Sequence, residues 1–434
     1  MEGKMKAVLK QLMIDFVGQP LPTPLPRHID FPLLPASVKK AFVLIGMRRA
    51  GKTWGLYQEI HRLLGQGIPR EQLIYINFED DRLADFTPAD WADFLPAYIE
   101  AFPSYSSHGC VFFLDEIHAA PGWEKFVLRL IDHENIKVYL SGSSAKLLSI
   151  EIATHLRGRT LSRDIFPMSF QEIAAIKDLR PSRNLTTAER ARLLSLFDQY
   201  LNNGGFPETL EASAALRIEL IQNYIENVVY RDVVERHEIN NIKAVRQFII
   251  HAIKSSGALL SINKMYQSFK SQGISVSKNA LYDYARYFED AYCLFFVPTF
   301  DFSQREQQTK PMKVYPVDPG VIMAYSIKPA FEIASTFETT VFLHLRRQHQ
   351  TLFYYQTPSG KEVDFMVQTP QGEFMLYQAS ISLDDPKTKL REISALEEAM
   401  QVLGLKESYV ITRDHSEEIT VKSGVIHCKA FIDL

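Results

Sequence analysis

Cysteine is scarce: Cys110, Cys293 and Cys428 are the only three in 434 residues, far apart and without a C-x-x-C pair. That excludes a disulfide-stapled scaffold and a thiolate zinc site, and it fits a reducing compartment. Long apolar runs are lacking too. The opening MEGKMKAVLKQLMIDFVGQP is cut by Lys10 and Asp15 before it reaches signal-peptide length, and no later stretch supplies the roughly 18 uncharged apolar residues of a membrane span. The expectation is a cytoplasmic protein with no membrane partner. An excess of one charge sign is also absent, since 48 Lys plus Arg against 51 Asp plus Glu leave −3. This argues against a strongly basic chain coating nucleic acid or an anionic membrane, while leaving room for a local basic patch. With 46% hydrophobic and 23% charged residues and no Gly or Pro excess, the composition is that of an ordinary globular protein. At roughly 150 residues per domain the length suggests about three domains.

What is present begins with AFVLIGMRRAGKTWGLYQEIHRLL. Gly46, four residues, then Gly51, Lys52 and Thr53 satisfy G-x-x-x-x-G-K-[ST]. The apolar run Ala41–Ile45 before it has the length of a buried strand, and Leu56, Ile60, Leu63 and Leu64 after it recur at helical spacing. Strand, loop and helix therefore follow in the order a polyphosphate cradle needs. Glycines let backbone N–H groups turn toward the anion, and the helix aims its positive N-terminus at the same point. Lys52 would reach the β- and γ-phosphates and Thr53 would offer a hydroxyl to Mg²⁺. Arg49, Ala50 and Trp54, inside and beside the loop, join Gly46 and Gly51 as candidate nucleotide contacts.

A second acidic element is needed for hydrolysis, and CVFFLDE over residues 110–116 is an apolar strand ending in two carboxylates. Asp115 is the candidate for the Mg²⁺ shell and Glu116 for polarising water. A third strand in KVYLSGSSAKLL ends at Ser141, Gly142, Ser143 and Ser144, hydroxyls that could sense a γ-phosphate or simply cap a helix. LIYINF over residues 73–78 reads as another strand, followed by the acidic Glu79, Asp80 and Asp81. Strands alternating with helices imply an α/β fold: a mainly parallel sheet with helices on both faces and its ligand at the C-terminal strand ends.

The series GMRRAGKT, YINFEDDRL, FFLDEIHAAPGWE, YLSGSSAKLL and LRGRTLSRDIFPMSFQEI resembles the bacterial and archaeal AAA-type P-loop ATPases with a C-terminal domain of unknown function. NNGGFPETL matches that family's glycine-glycine-x-proline element, KVYPVDPGV around Asp318 its next landmark, and GKEVDFMV with LYQASISL its C-terminal domain. The resemblance runs from about Arg27 onward. It implies ATP and Mg²⁺ as cofactors, Gly46, Gly51, Lys52 and Thr53 as phosphate and metal contacts, and Asp115 and Glu116 as metal and water residues. The family's Gly-Arg pair falls on Gly158 and Arg159, which makes Arg159 the candidate arginine finger, with Arg157 and Arg163 equally able chemically.

Residues 185–240 read as a helical connector broken by GGFP. The segment LLSINKMYQSFKSQGISVSKNALYDYARYFEDAYCLFFVPTFD has the layout of a winged helix-turn-helix. Ser275, Ser277, Lys278 and Asn279 would open its recognition helix. Glu289, Asp290 and the aromatics Tyr282, Tyr284, Tyr287 and Phe288 instead suit packing against a neighbour.

From Val314 onward, a helix over residues 337–345, strands over 352–355, 361–367 and 373–381, and an amphipathic helix over 390–403 give the order of a restriction-endonuclease-like fold. Active members converge an acidic helix residue, a strand Asp and a Glu-x-Lys on Mg²⁺. Glu338 and Asp364 fit, but Gln378-Ala379-Ser380 stands at the third position, so a nuclease-like scaffold without nuclease activity is expected, with Glu362 as a substitute acid to consider.

The expected division is residues 1–180 (N-terminal segment and ATPase core), 181–310 (helical connector and winged-helix region) and 311–434 (nuclease-like domain). The expected function is a Mg²⁺-dependent ATPase whose nucleotide state moves the later domains, with DNA, another copy or a protein as candidate partners. The alternative is a non-hydrolysing nucleotide switch or interaction module.

Overall fold

The structure, a computed structural model, describes residues 3–35, 37–105, 109–134, 136–142, 156, 158–179, 185–301, 303 and 310–434. The chain forms two compact units, Met1–Phe166 and Pro167–Leu434.

In the first unit, β1 (Ala41–Ile45), β2 (Leu73–Asn77), β3 (Val111–Asp115), β4 (Lys137–Gly142) and β5 (Thr160–Asp164) make one sheet in the order β2-β3-β4-β1-β5. Every described pairing is parallel. Parallel strands are covered on both faces, which is why β1 (AFVLI) and β3 (VFFLD) are buried at all five positions. One face carries stacked Phe42, Tyr139 and Phe113 against the helix Lys52–Gly65 and its Leu56 and Ile60. The other carries Phe94 and Phe126 around Trp91. An N-terminal helix, Lys4–Gly18, which the sequence analysis did not anticipate, packs on Phe94–Ala101. Because β4 lies between β1 and β3, its C-terminal end sits between the phosphate loop and the acidic strand end.

The second unit begins with the helices Phe170–Ile176, Thr187–Asn203 and Ala214–Asn227, the last running on into a π-helical stretch, Val228–Glu235. Capping boxes at Ser169–Glu172 and Thr186–Glu189 start the first two. Next come the helix Ile242–Lys254, β6 (Leu259–Leu260), the helices Ile262–Ser271 and Lys278–Asp290, then β7 (Leu294–Val297) and β8 (Met312–Pro316). These strands form an antiparallel sheet, β6-β8-β7.

The glycine-glycine element and Asp318 meet in space. Asp318 caps the helix Pro319–Tyr325, and its buried carboxylate accepts from the N–H groups of Gly205 (2.7 Å) and Gly320 (2.8 Å). A Cβ on Gly204, whose φ is +74°, would collide with that carboxylate, and one on Gly205 would strike the Met168 carbonyl. Glycine is thus required there by close backbone approach.

The rest holds the helix Ile333–Gln348, β9 (Leu352–Gln356), β10 (Glu362–Gln368), β11 (Phe374–Ala379), the helix Pro386–Leu403, β12 (Glu407–Thr412), β13 (Glu417–Val421) and β14 (Gly424–Ala430). The expected helix, three strands and helix are present. Beyond them, β12 adds parallel to β11 and β14 parallel to β12, with β13 antiparallel at the edge, giving a mixed six-stranded sheet. Leu376, Val410 and Ile426 from its strands pack under Leu396 and Met400 of the helix Pro386–Leu403. Among the described residues no helix is long and apolar enough to cross a membrane.

Candidate nucleotide site

The phosphate loop leaves β1 at Gly46. A Cβ there would meet the carbonyl of Ile165, whose N–H donates to Ile45 at 2.6 Å, so the pairing of β5 with β1 demands glycine at this corner. Arg49 and Gly51 take positive φ, 67° and 102°, which curls the loop before the helix starts at Lys52. The Lys52 ammonium is buried and donates to the loop carbonyls of Gly46 (3.1 Å) and Met47 (3.2 Å). Ala50 is fully buried at the base of the loop, whereas Trp54 is 43% exposed, with its ring 6.1 Å from that of Tyr57.

The acidic strand end faces this loop. Thr53 Oγ1 donates to Asp115 Oδ2 at 2.8 Å, Tyr75 donates to the same oxygen at 2.6 Å, and the Ser141 hydroxyl bonds Asp115 Oδ1. A hydroxyl and a carboxylate side by side are the hard oxygen donors that Mg²⁺ takes, so the donor set fits the ion the phosphate loop implies. Glu116 turns out of the strand in the left-handed region, φ 49°, with its N–H donating to Ser141 Oγ at 3.2 Å. Burial pushes its carboxyl pKa upward, against the pull of Lys52. A non-glycine residue held in this conformation is strained, and the two neighbouring carboxylates meet different partners: Asp115 the three hydroxyls, Glu116 the His118 ring.

Three contributors were missed in the sequence. Arg27, outside every motif, supports the loop from below through Ala50 O (3.0 Å) and Phe166 O (2.7 Å). His118 Nδ1 lies 3.3 Å from Glu116 Oε2, and Glu79 joins these two in a group whose candidate ligand atoms all fall within 4.8 Å. His118 and Glu79 stood in segments already quoted, directly after strand ends, which was the available signal; Arg27 offered none.

Arg159 lies elsewhere. Its carbonyl accepts from Ala41 N at the start of β1, the end of the sheet opposite the phosphate loop, and its guanidinium pairs with Asp132 at 3.2 Å. Arg163 is on β5 with its guanidinium on Asp30 O. Ser143, Ser144 and Arg157 lie outside the described residues.

In the second unit, Glu338 and Asp364 are brought together, and Glu362 with them, around the buried ammonium of Lys313 from β8. They line a cleft of about 700 Å³ with Gln378, Ser380, Arg391 and Glu392. Lys313 opens the quoted landmark KVYPVDPGV, where only Asp318 was singled out, so its place among these acids was not read from the sequence.

A parallel sheet whose first strand feeds a glycine-rich loop and helix, facing an Asp-Glu strand end, defines a P-loop NTPase fold. The description "AAA domain" matches residues 38–174, and two domains of unknown function match residues 194–330 (DUF8612) and 334–431 (DUF4143). An uncharacterised protein of Methanocaldococcus jannaschii is 35% identical over 384 residues, 87% of this chain and 82% of its own. One of Haemophilus influenzae is 28% identical, covering 75% and 78%. The chain belongs to the family of bacterial and archaeal AAA-domain proteins that carry a C-terminal domain of unknown function. Among solved structures, the Aeropyrum pernix ORC1 protein in complex with DNA matches at 13% identity and TM-score 0.28, covering 75% of this chain and 92% of that one. The Thermotoga maritima RuvB Holliday junction branch migration motor matches at 15% and 0.27, covering 69% and 90%.

Proposed function

We propose that the N-terminal unit is a Mg²⁺-dependent ATPase. The observation that carries this is the 2.8 Å bond between Thr53 and Asp115, which joins the phosphate loop to the acidic strand with Glu116 one residue on. Lys52 and the loop N–H groups hold the phosphates, and Gly46, Arg49, Ala50, Gly51 and Trp54 shape or flank that cradle. Thr53 and Asp115 hold Mg²⁺, Glu116 polarises the attacking water, and Ser141 fixes both carboxylate residues. Arg159, at the far end of its own sheet, serves as an arginine finger only toward a neighbouring copy, which makes a homo-oligomer part of the proposal.

We further infer the three-part organisation 1–180, 181–310 and 311–434. The order helix, strand, two helices and strand pair over 242–316 supports a winged-helix reading. Ser275, Ser277, Lys278, Asn279, Tyr282 and Arg286 are exposed on or before its second long helix, while Tyr284 and Phe288 are buried and Tyr287 stacks on His237. The exposed side of that helix, which includes Tyr282, is the one that would suit DNA phosphates, and Tyr284 and Phe288 serve packing. The last part is a nuclease-like scaffold without nuclease activity.

Phosphate release by wild type, Lys52→Ala and Glu116→Gln, with and without duplex DNA, tests the reading. Turnover should fall at least ~100-fold in both variants, with ATP binding kept in Glu116→Gln. Wild-type turnover unchanged by either substitution sinks the ATPase. Tight ATP binding with no turnover in any condition selects the nucleotide switch instead.

A further inference from the structure

A nuclease-like cleft implies a divalent ion held by acidic side chains, and this cleft does not fit one. The Lys313 side chain, 1% exposed, places its ammonium 3.0 Å from Glu338 Oε1, 2.8 Å from Glu362 Oε1 and 2.8 Å from Asp364 Oδ1. An ammonium has three N–H donors, and here three carboxylates take them. We infer that Lys313 is the resident cation of the cleft: its ammonium stands where a divalent ion would be bound, and the acidic cluster works as a metal-free brace.

The other ligand positions point the same way. Asp364 Oδ2 accepts from Ala379 N at 2.9 Å, and Glu338 Oε1 also accepts from Tyr315 at 2.7 Å. Gln378, at the position of the missing acid, is consumed by Asp364 N (3.1 Å) and Glu392 Oε2 (2.5 Å). Ser380 turns its hydroxyl to Ser382 O at 2.9 Å. A divalent ion needs about six oxygens at roughly 2.0–2.6 Å, whereas these oxygens are spaced for hydrogen bonds to one ammonium. Burial works against the Lys313 charge, but Tyr315, Asp364, Glu338 and Glu362 outweigh it and raise its pKa well above the ordinary lysine value. The brace also spans two sheets, since Lys313 is on β8, Glu362 and Asp364 are on β10, and Glu338 is on the helix Ile333–Gln348.

This rests on the nuclease-like reading and not on the ATPase reading, and ATP turnover in the same preparations keeps the two apart. The test counts Mn²⁺ bound by the full-length, nucleotide-free chain, by paramagnetic resonance, in wild type, Asp364→Asn, Lys313→Met and Lys313→Met/Asp364→Asn. Wild type and Asp364→Asn should bind the same number. Lys313→Met should bind one more, and the double variant should lose it. One Mn²⁺ fewer in Asp364→Asn than in wild type overturns the inference, as does a folded Lys313→Met with no extra ion. Plasmid cleavage by wild type that disappears in Lys313→Met also overturns it, because the lysine would then serve catalysis. If Lys313→Met does not fold, the comparison of wild type with Asp364→Asn decides, with equal Mn²⁺ supporting the brace.

Discussion

At the scale of single residues, backbone proximity sets the tightest limits. Gly46 has no room for a methyl group because Ile165 O already occupies that space, and an exposed side chain elsewhere could move where this carbonyl, on a residue whose N–H is bonded to Ile45 O just past the end of β5, cannot. Gly46→Ala should cost about 1–3 kcal/mol by chemical denaturation and weaken ATP affinity in a fluorescent-nucleotide titration. A variant that binds ATP as wild type does would show the loop does not depend on this corner. Glu116 shows a different economy of position. One left-handed residue separates two neighbouring carboxylates into distinct environments, so that Asp115 meets three hydroxyls and Glu116 meets His118.

Between elements, the buried Asp318 joins the helix Pro319–Tyr325 to the glycine-glycine turn after Thr187–Asn203. Burial raises its carboxyl pKa to about 7, with the two backbone N–H groups and Arg347 opposing. The unfolded value is 3.8, so between these two values the folded chain holds a proton that the unfolded chain has released. Stability from this group is therefore present on the acid side and is lost as pH rises through about 7. The urea midpoint of wild type should fall from pH 5 to pH 8, and that slope should flatten in Asp318→Asn. A slope of the same size in the variant would assign the pH dependence to other groups, such as Glu338, whose pKa burial and Asp364 also raise to about 7. Asp318→Asn should further lower stability by about 1–3 kcal/mol at every pH, because an amide cannot accept from both N–H groups.

For the whole molecule, a ligand that binds only the folded chain shifts the unfolding equilibrium toward the folded state. ATP with Mg²⁺ at 100 times its Kd should stabilise Met1–Phe166 by about 2.7 kcal/mol, and the thermal transition of Lys52→Ala should not move. Mixing Lys52→Ala and Arg159→Ala chains should restore turnover that neither has alone if the finger acts between copies, and no restoration would remove Arg159 from the mechanism. The phosphate loop, β1 to β4 and the helix-strand order of the C-terminal part were legible in the sequence because each rests on contiguous residues: a glycine spacing, an apolar run, a helical repeat. The strand β5, the additional strands β12 to β14 and the N-terminal helix were not. Their side chains are half-exposed or short-patterned, and apart from the β13–β14 hairpin their partners lie well away along the chain. By itself the sequence determined the phosphate-loop motif and the family, since Gly46 to Thr53 form one contiguous run of eight residues. Only the tertiary structure decided that Arg27 props that loop, that Arg159 lies at the other end of the sheet, and that the Lys313 ammonium sits among Glu338, Glu362 and Asp364. Each of these depends on contacts across 23 to 139 residues or on the register of a sheet, and no local pattern encodes a distance through space.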